Sequence, residues 1–292
     1  IRFSTSPLNG IVVSTRSKHG TTWVQAICLM LILGTAELPA PLGELSPWLD
    51  WRVVARDEVW AALAAQRHRR VIKTHTPLDG VPIDGRVTYV VVARHPLDAA
   101  VSLYHQGENI DRTRLRALTG AVAPTGDGPR PPADEWLRGW IGQDAAPRAE
   151  LDSLAGVMWH VGDAWARRHE PNVVLLHYED LSADIDAEMR RLSHRLRVDV
   201  PGPVWPALVA AAGFESMRTR ASELAPDPMG VLRDHRRFFR RGTSGEGRAL
   251  LEPADLAAYR DRVAALAPAD LLAWLHRDAT FDPGGHGRGV GP

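Results

Sequence analysis

The chain contains a single cysteine, Cys28, in 292 residues. With no second thiol there is no internal disulfide and no zinc site built on cysteine. Cys28 itself lies within an apolar, helically spaced run and reads as a core residue. Charge of one sign is also lacking, because 35 Lys and Arg balance 35 Asp and Glu. A general nucleic-acid surface needs a net or clustered positive field, so no nucleic-acid partner is expected. The twelve histidines show no H-E-x-x-H or similar ligand spacing, and no metal is expected. Long hydrophobic runs are missing too. Cys28 to Leu33 is far too short to span a bilayer, and the first residues do not read as a signal peptide. A cytoplasmic enzyme is the default expectation.

What is present is ordinary globular composition, 45% hydrophobic and 24% charged, at a length that suits one α/β domain. The most informative stretch runs from Ile11 to Leu33. Ile11, Val12 and Val13 suit a buried strand, and Trp23 to Leu33 repeats apolar residues with a helical period. Between them, Lys18, Gly20, Thr21 and Thr22 stand at the helix entrance. A helix start carries unpaired N–H groups and a partial positive charge, so it favours an anion. Phosphate or sulfate is the group this chemistry suits. The plainer reading is an ordinary strand-turn-helix with Thr21 or Thr22 as N-cap. A Walker A motif is excluded, because the lysine precedes the glycine.

Further along, Thr35 to Trp51 reads as an irregular, proline-rich excursion, and Asp57 to Arg67 as a helix. Val71 to Thr74 is a short strand leading into Lys73-Thr74-His75, and Pro77 to Gly85 is loop. Val87 to Ala93 is the clearest strand, apolar enough for burial on both faces. Arg94 and His95 follow it, and Pro96 suits a first helical position in a helix running through Ser102 to about His105. Gly107 to Ala149 reads as long and irregular, as a lid would be. Helix is expected over Asp152 to Arg168, strand over Val173 to Leu176, and helix again over Ala183 to Leu196. Trp205 to Ala212 and Phe214 to Leu224 read as short helices, Pro226 to Gly247 as irregular and basic, and Pro253 to Leu275 as helix. Gly284 to Pro292 reads as a flexible tail.

Strands alternating with helices predict a single α/β domain with a central parallel sheet flanked by helices and a P-loop-like phosphate site. Ligands of such sheets bind beyond the C-terminal strand ends. Lys18, His75 and Arg94 each follow a strand, so they are expected to converge.

Ser17-Lys18-His19-Gly20-Thr21-Thr22-Trp23 resembles the 5′-phosphosulfate loop of the cytosolic sulfotransferases. Those enzymes take sulfate from 3′-phosphoadenosine 5′-phosphosulfate (PAPS) and release the product PAP. The resemblance continues in order at Lys73-Thr74-His75, at Arg94 with Ser102, at Tyr178-Glu179-Asp180 and at Phe238-Phe239-Arg240-Arg241-Gly242. It implies that Lys18, His19, Gly20, Thr21 and Thr22 hold the 5′-phosphosulfate. Arg94 and Ser102, with Arg240, Arg241 and Gly242, would grip the 3′-phosphate. Trp23 and Phe214 would sandwich the adenine, beside Tyr178, Met217 and Phe239. His75 would be the catalytic base, with Lys73 and Lys18 stabilising the transferring group.

The resemblance thus implies a sulfotransferase domain over residues 1–283. PAPS would be its co-substrate, without a metal, and a small acceptor hydroxyl its partner, without a membrane span. The chain also departs from the family pattern. Arg16-Ser17 replaces a usual Tyr-Pro, Ala212 replaces a usual hydroxyl near the adenine, and Gly247 replaces a usual tryptophan. No dimerisation motif is recognisable around Leu250 to Leu256, so the oligomeric state stays open. Long stretches at about 35–56 and 107–149, with Trp48, Trp51, Trp136 and Trp140, suggest walls and a lid over an apolar or aromatic acceptor. A P-loop kinase-like phosphotransferase and a non-catalytic nucleotide-binding module are the alternative readings.

Overall fold

The structure is a computed structural model that describes residues 10–51, 53–120 and 130–277. Four parallel strands form the sheet: β1 (Ile11–Ser14), β2 (Val71–Thr74), β3 (Thr88–Ala93) and β4 (Val173–His177), in the order β2-β1-β3-β4. β1 pairs with β2 from Ile11 opposite Val71 to Ser14 opposite Thr74. Its other edge sets Val13 opposite Val90 of β3, which in turn sets Val91 opposite Leu175 of β4.

The apolar runs of the strands reflect burial on both faces. On one face Ile11, Val13, Val90, Val92, Val174 and Leu176 pack against the helix Thr21–Leu33 and the helices Ile185–Leu196 and Trp205–Ala212. On the other, Val12, Ile72, Tyr89 and Val91 meet Val59 and Leu63 of the helix Arg56–Ala65. A third cluster joins Ala93 and Leu97 to the helices Ala133–Gly142, Leu154–Ala166, Pro253–Leu266 and Ala269–His276. Each large aliphatic side chain so buried contributes about 1.5–3 kcal/mol.

The first helix begins at Thr21, two residues before the apolar period starts, and every residue from Thr21 to Leu31 is buried. It ends at Gly34, whose φ of 63° gives the left-handed stop that glycine adopts without a Cβ clash. The apolar helix enters the core as a whole, and its N-terminal turn is presented at the C-terminal end of β1.

Several boundaries differ from the sequence reading. The stretch expected to be irregular over 107–149 is largely helical among its described residues, with Arg112–Thr119 and Ala133–Gly142. Leu137, Trp140 and Ile141 recur at helical spacing and are buried, and Asp111 caps the other helix by accepting from the Arg114 N–H. The helix after β3 runs on to Asn109. The single helix expected over Pro253 to Leu275 is two, because Pro268 has no N–H to continue the first. Phe214 to Leu224 likewise divides, at Arg220. One-turn helices interrupt the stretches expected to be irregular, at Leu42–Leu45, His235–Phe238 and Glu246–Ala249. The tail at 284–292 lies outside the described residues.

Candidate active site

At the C-terminal ends of β1, β2 and β3 the chain encloses a cavity of about 360 Å³. Every site residue anticipated from the sequence lines it except His19. β1 delivers Lys18, Gly20, Thr21, Thr22 and Trp23 through its loop and helix. β2 delivers Lys73 and His75. β3 delivers Arg94, and its helix delivers Ser102. β4 delivers Tyr178. Phe214, Met217, Phe239, Arg240, Arg241 and Gly242 close the remaining side.

The loop after β1 turns tightly. Lys18 holds φ at 65° and Gly20 at 100°, both left-handed. At Gly20 a Cβ would meet the Tyr178 ring at 3.1 Å, so the glycine lets the backbone and that ring lie together. The first N–H groups of the following helix have no intrahelical acceptor, and the residues that carry them, Thr21, Thr22 and Trp23, line the cavity. His19 turns the other way. Its Nδ1–H donates to the Ser17 carbonyl at 2.9 Å, its N–H donates to the Arg16 carbonyl at 3.3 Å, and its ring is fully buried. Burial lowers its pKa to about 4. His19 therefore offers no group to the cavity, and serves the turn.

The cations are held without carboxylates on the lysines. Lys18 Nζ donates to the Gln106 side-chain oxygen at 3.3 Å and the Phe238 carbonyl at 3.4 Å, and lies 3.9 Å from the centre of the Phe238 ring. Lys73 Nζ lies 3.7 Å from the Trp48 ring centre. Burial, reinforced by Arg94, Lys73 and Arg240, lowers Lys18 to about 7; burial lowers Lys73 to about 7 as well, against the opposing pull of Asp50. Arg94 donates to the Lys18 carbonyl at 3.3 Å and to the Thr243 carbonyl at 2.9 Å, and stacks over Tyr178 at 4.2 Å. Its Nε is buried with no partner among the described residues.

His75 is fixed at three points. Its backbone N–H donates to Asp50 at 3.0 Å, its carbonyl accepts from the Arg16 guanidinium, and its Nδ1 faces the Thr15 carbonyl at 2.5 Å. A carbonyl can only accept, so Nδ1 carries the proton and Nε2 keeps its lone pair. Burial, then Lys73, lowers the His75 pKa to about 3, so the ring is neutral. Trp48 meets this ring edge-on at 4.9 Å and stacks on Trp51 at 5.3 Å.

The basic stretch that carries Arg240 and Arg241 is anchored by a residue the sequence does not flag. Asp98, buried in the first turn of the helix Pro96–Asn109, accepts from the N–H groups of Gly245 at 2.8 Å and Gly247 at 2.9 Å. The departure at Gly247 thereby has a reason, because a Cβ there would sit 2.5 Å from the Leu97 backbone. Gly242, at φ 69°, likewise leaves room for Phe214.

Trp136 and Trp140, expected over the acceptor, pack instead into the third core cluster, where Trp140 Nε1–H donates to the Asp152 carbonyl at 2.8 Å. Trp48 and Trp51 do line the cavity, and the 107–149 stretch contributes Ile110 and Leu115. Amphipathic spacing in Ala133–Gly142 was the signal that those tryptophans belong to the core.

The site gathers what a donor with two anionic groups needs: five basic side chains, an Arg94 Nε buried with no partner among the described residues, and two glycines where a Cβ would intrude. The sulfotransferase-domain pattern matches residues 8–267, and the chain belongs to that family. It is therefore an enzyme of the sulfotransferase class, and the co-substrate of that family is PAPS. A glycolipid sulfotransferase of Mycobacterium bovis (strain BCG / Pasteur 1173P2) is 40% identical over 293 residues, spanning 94% of this chain and 90% of that protein. Sulfotransferase 1A1 of Rattus norvegicus is 24% identical, spanning 81% and 77%. In fold, the chain is similar to mouse sulfotransferase SULT7A1 complexed with PAP, with a TM-score of 0.68 at 17% identity over 93% and 89% of the two chains. It is also similar to retinol dehydratase in complex with androsterone and inactive cofactor PAP, at 0.65 and 20% over 88% and 80%. Among the described residues no helix is long and apolar enough to cross a membrane, and no group of three or more His, Cys, Asp or Glu could hold a metal ion.

Proposed function

We propose that the enzyme moves the sulfuryl group of PAPS to the hydroxyl of a small apolar or aromatic acceptor, with His75 as general base. The observation that carries this reading is the His75 ring. Its Nδ1–H is committed to the Thr15 carbonyl, and the free Nε2 lone pair belongs to a residue lining the cavity beside Lys73, Trp48 and Trp51.

In this reading Gly20, Thr21 and Thr22 hold the 5′-phosphosulfate at the helix start, and Arg94, Ser102, Arg240, Arg241 and Gly242 hold the 3′-phosphate. Trp23 and Phe214 flank the adenine, with Tyr178, Met217 and Phe239 around it. The acceptor oxygen forms the new O–S bond as the bond to the phosphate oxygen breaks, and the hydroxyl proton passes to His75 Nε2. Lys18 meets the charge that grows on the leaving phosphate, and Lys73 steadies the sulfuryl group. A base held near 3 in the free chain is weak. An anion beside Lys73 offsets the lysine's charge and moves His75 toward the range where a base works best.

The same reading gives the acceptor apolar walls from Trp48, Trp51, Leu103, Ile110, Leu115 and Leu232, which all line the cavity. A lipid-like alcohol agrees with the name of the mycobacterial relative. The catalytic domain extends over residues 1–283 in this proposal. Transfer of labelled sulfate from PAPS to a panel of phenols, sterols, glycolipids and polysaccharides is the test, run on the enzyme and on His75→Ala. Turnover of apolar alcohols, cut roughly 10²–10⁴-fold in His75→Ala at unchanged PAP affinity, is expected. Full turnover in His75→Ala, or activity confined to charged polysaccharides, would overturn the base or the acceptor class respectively.

A further inference from the structure

Behind His75 lies an ion pair built by one of the chain's own departures from the family pattern. Arg16 is 3% exposed, and its guanidinium donates in two directions. One nitrogen donates to the His75 carbonyl, and the other to Asp152 Oδ1 at 2.6 Å. Ser17 Oγ donates to Asp152 Oδ2 at 3.0 Å, so the neighbouring residue secures the same carboxylate. Asp152 stands just before the helix Leu154–Ala166, whose N-cap is Ser153, and its backbone carbonyl accepts from Trp140. It also lines the cavity. The pair therefore ties three separate elements to one another at His75: the β1 loop, the end of β2 and the start of a core helix.

We propose that Arg16 and Asp152 are a positioning pair that sets the place of His75 for proton transfer. This rests on His75 being the base. The loop after β1 already supplies the Thr15 carbonyl that fixes the ring's tautomer, one residue from Arg16. With the His75 carbonyl held by Arg16 and the ring by Thr15, the backbone and imidazole of His75 are referred to the same turn of the same loop. A buried guanidinium without its carboxylate is strongly disfavoured, so Asp152 keeps Arg16 in place. A planar fork holds both acceptors in one fixed geometry, which a compact ammonium with rotatable donors does not. Arg16 and Asp152 act through His75, and a misplacement near 1 Å at such a group can cost on the order of 10²-fold in rate.

The test measures turnover, PAP affinity and KM for PAPS in Arg16→Lys and Asp152→Asn, and repeats the single-turnover rates of both in the His75→Ala background. Asp152→Asn keeps the shape and one acceptor oxygen, and its side chain is 42% exposed, so it serves if Arg16→Lys does not fold. The expected result is a roughly 10–100-fold loss of kcat in each variant with PAP affinity within threefold, and less than a twofold further loss once His75 is already alanine. A purely structural role would lower the rate equally with and without His75 and would overturn the proposal, as would unchanged kcat in both variants. Retained turnover in His75→Ala alone would instead overturn the base reading, and the pair with it. Loss in His75→Ala without loss in Asp152→Asn or Arg16→Lys would overturn the pair only.

Discussion

The carboxylate of Glu246 accepts from Arg240 Nη1 at 3.0 Å and faces Arg241 Nη1 at 3.4 Å. Both arginines line the cavity at the proposed 3′-phosphate position, so Glu246 competes there with an incoming phosphate. The hydrogen bonds from Arg240 lower its pKa below the ordinary glutamate value. Partly exposed pairs of this kind are worth up to about 1 kcal/mol. Glu246→Gln is therefore expected to tighten PAP binding roughly three- to fivefold and to leave AMP binding unchanged. Calorimetry with both nucleotides decides it. Weaker PAP binding in the variant would mean that Glu246 orients the arginines for the phosphate rather than opposing it.

Arg94 spans two roles, and the ligands separate them. It braces the Lys18 carbonyl, and it presents a buried Nε with no partner among the described residues. Arg94→Ala should weaken PAP roughly 10–100-fold, the range for losing a charged hydrogen bond of about 1.5–3 kcal/mol. AMP, which has no 3′-phosphate, should weaken much less. Equal losses would assign Arg94 to the loop alone.

The phosphate loop was legible because an apolar, β-branched run abuts an apolar helical one, and the strand ends then had to share an edge. Convergence of Lys18, His75 and Arg94 followed from topology. The strand order β2-β1-β3-β4 did not, because the short strands carry no pairing partner in their own residues. A motif also fixes a residue's place in the chain but not its rotation, and His19 turns into the interior while its neighbours face the cavity. The helices Arg112–Thr119 and Ala133–Gly142 were hidden by the glycines and prolines at 124–132, whose loop chemistry was extended over both neighbours. Arg16 and Asp152 stand 136 positions apart, so only the fold brings them together.

Gly242 combines a φ of 69° with a site where a Cβ would lie 2.5 Å from the Phe214 ring. An alanine there costs about 1–2 kcal/mol in backbone strain and must also displace the ring proposed to flank the adenine. Gly242→Ala should lower the melting temperature and weaken PAP at least tenfold. Gly43→Ala is the control, since no neighbouring atom lies within 4 Å of a Cβ there. Unchanged nucleotide affinity in Gly242→Ala would separate Phe214 from the adenine.

Lys18 and Lys73, both lowered to about 7 by burial, give the donor site a pH dependence whose sign can be worked out. An unfolded lysine titrates near 10.4, so between about pH 7 and that value the unfolded chain binds more protons than the folded one. The stability of the free enzyme should accordingly rise with pH across this window, as the buried amines lose their charge. A polyanion at the site prefers the charged amines and raises their pKa. PAP binding should then take up protons near pH 8 and weaken as pH rises above about 7, by at most about tenfold per unit for each lysine involved. Calorimetry in two buffers of different ionisation enthalpy measures the uptake, and Lys73→Met should reduce it. A PAP affinity flat from pH 6 to pH 9, with no proton uptake, would mean that both amines are already charged in the free enzyme.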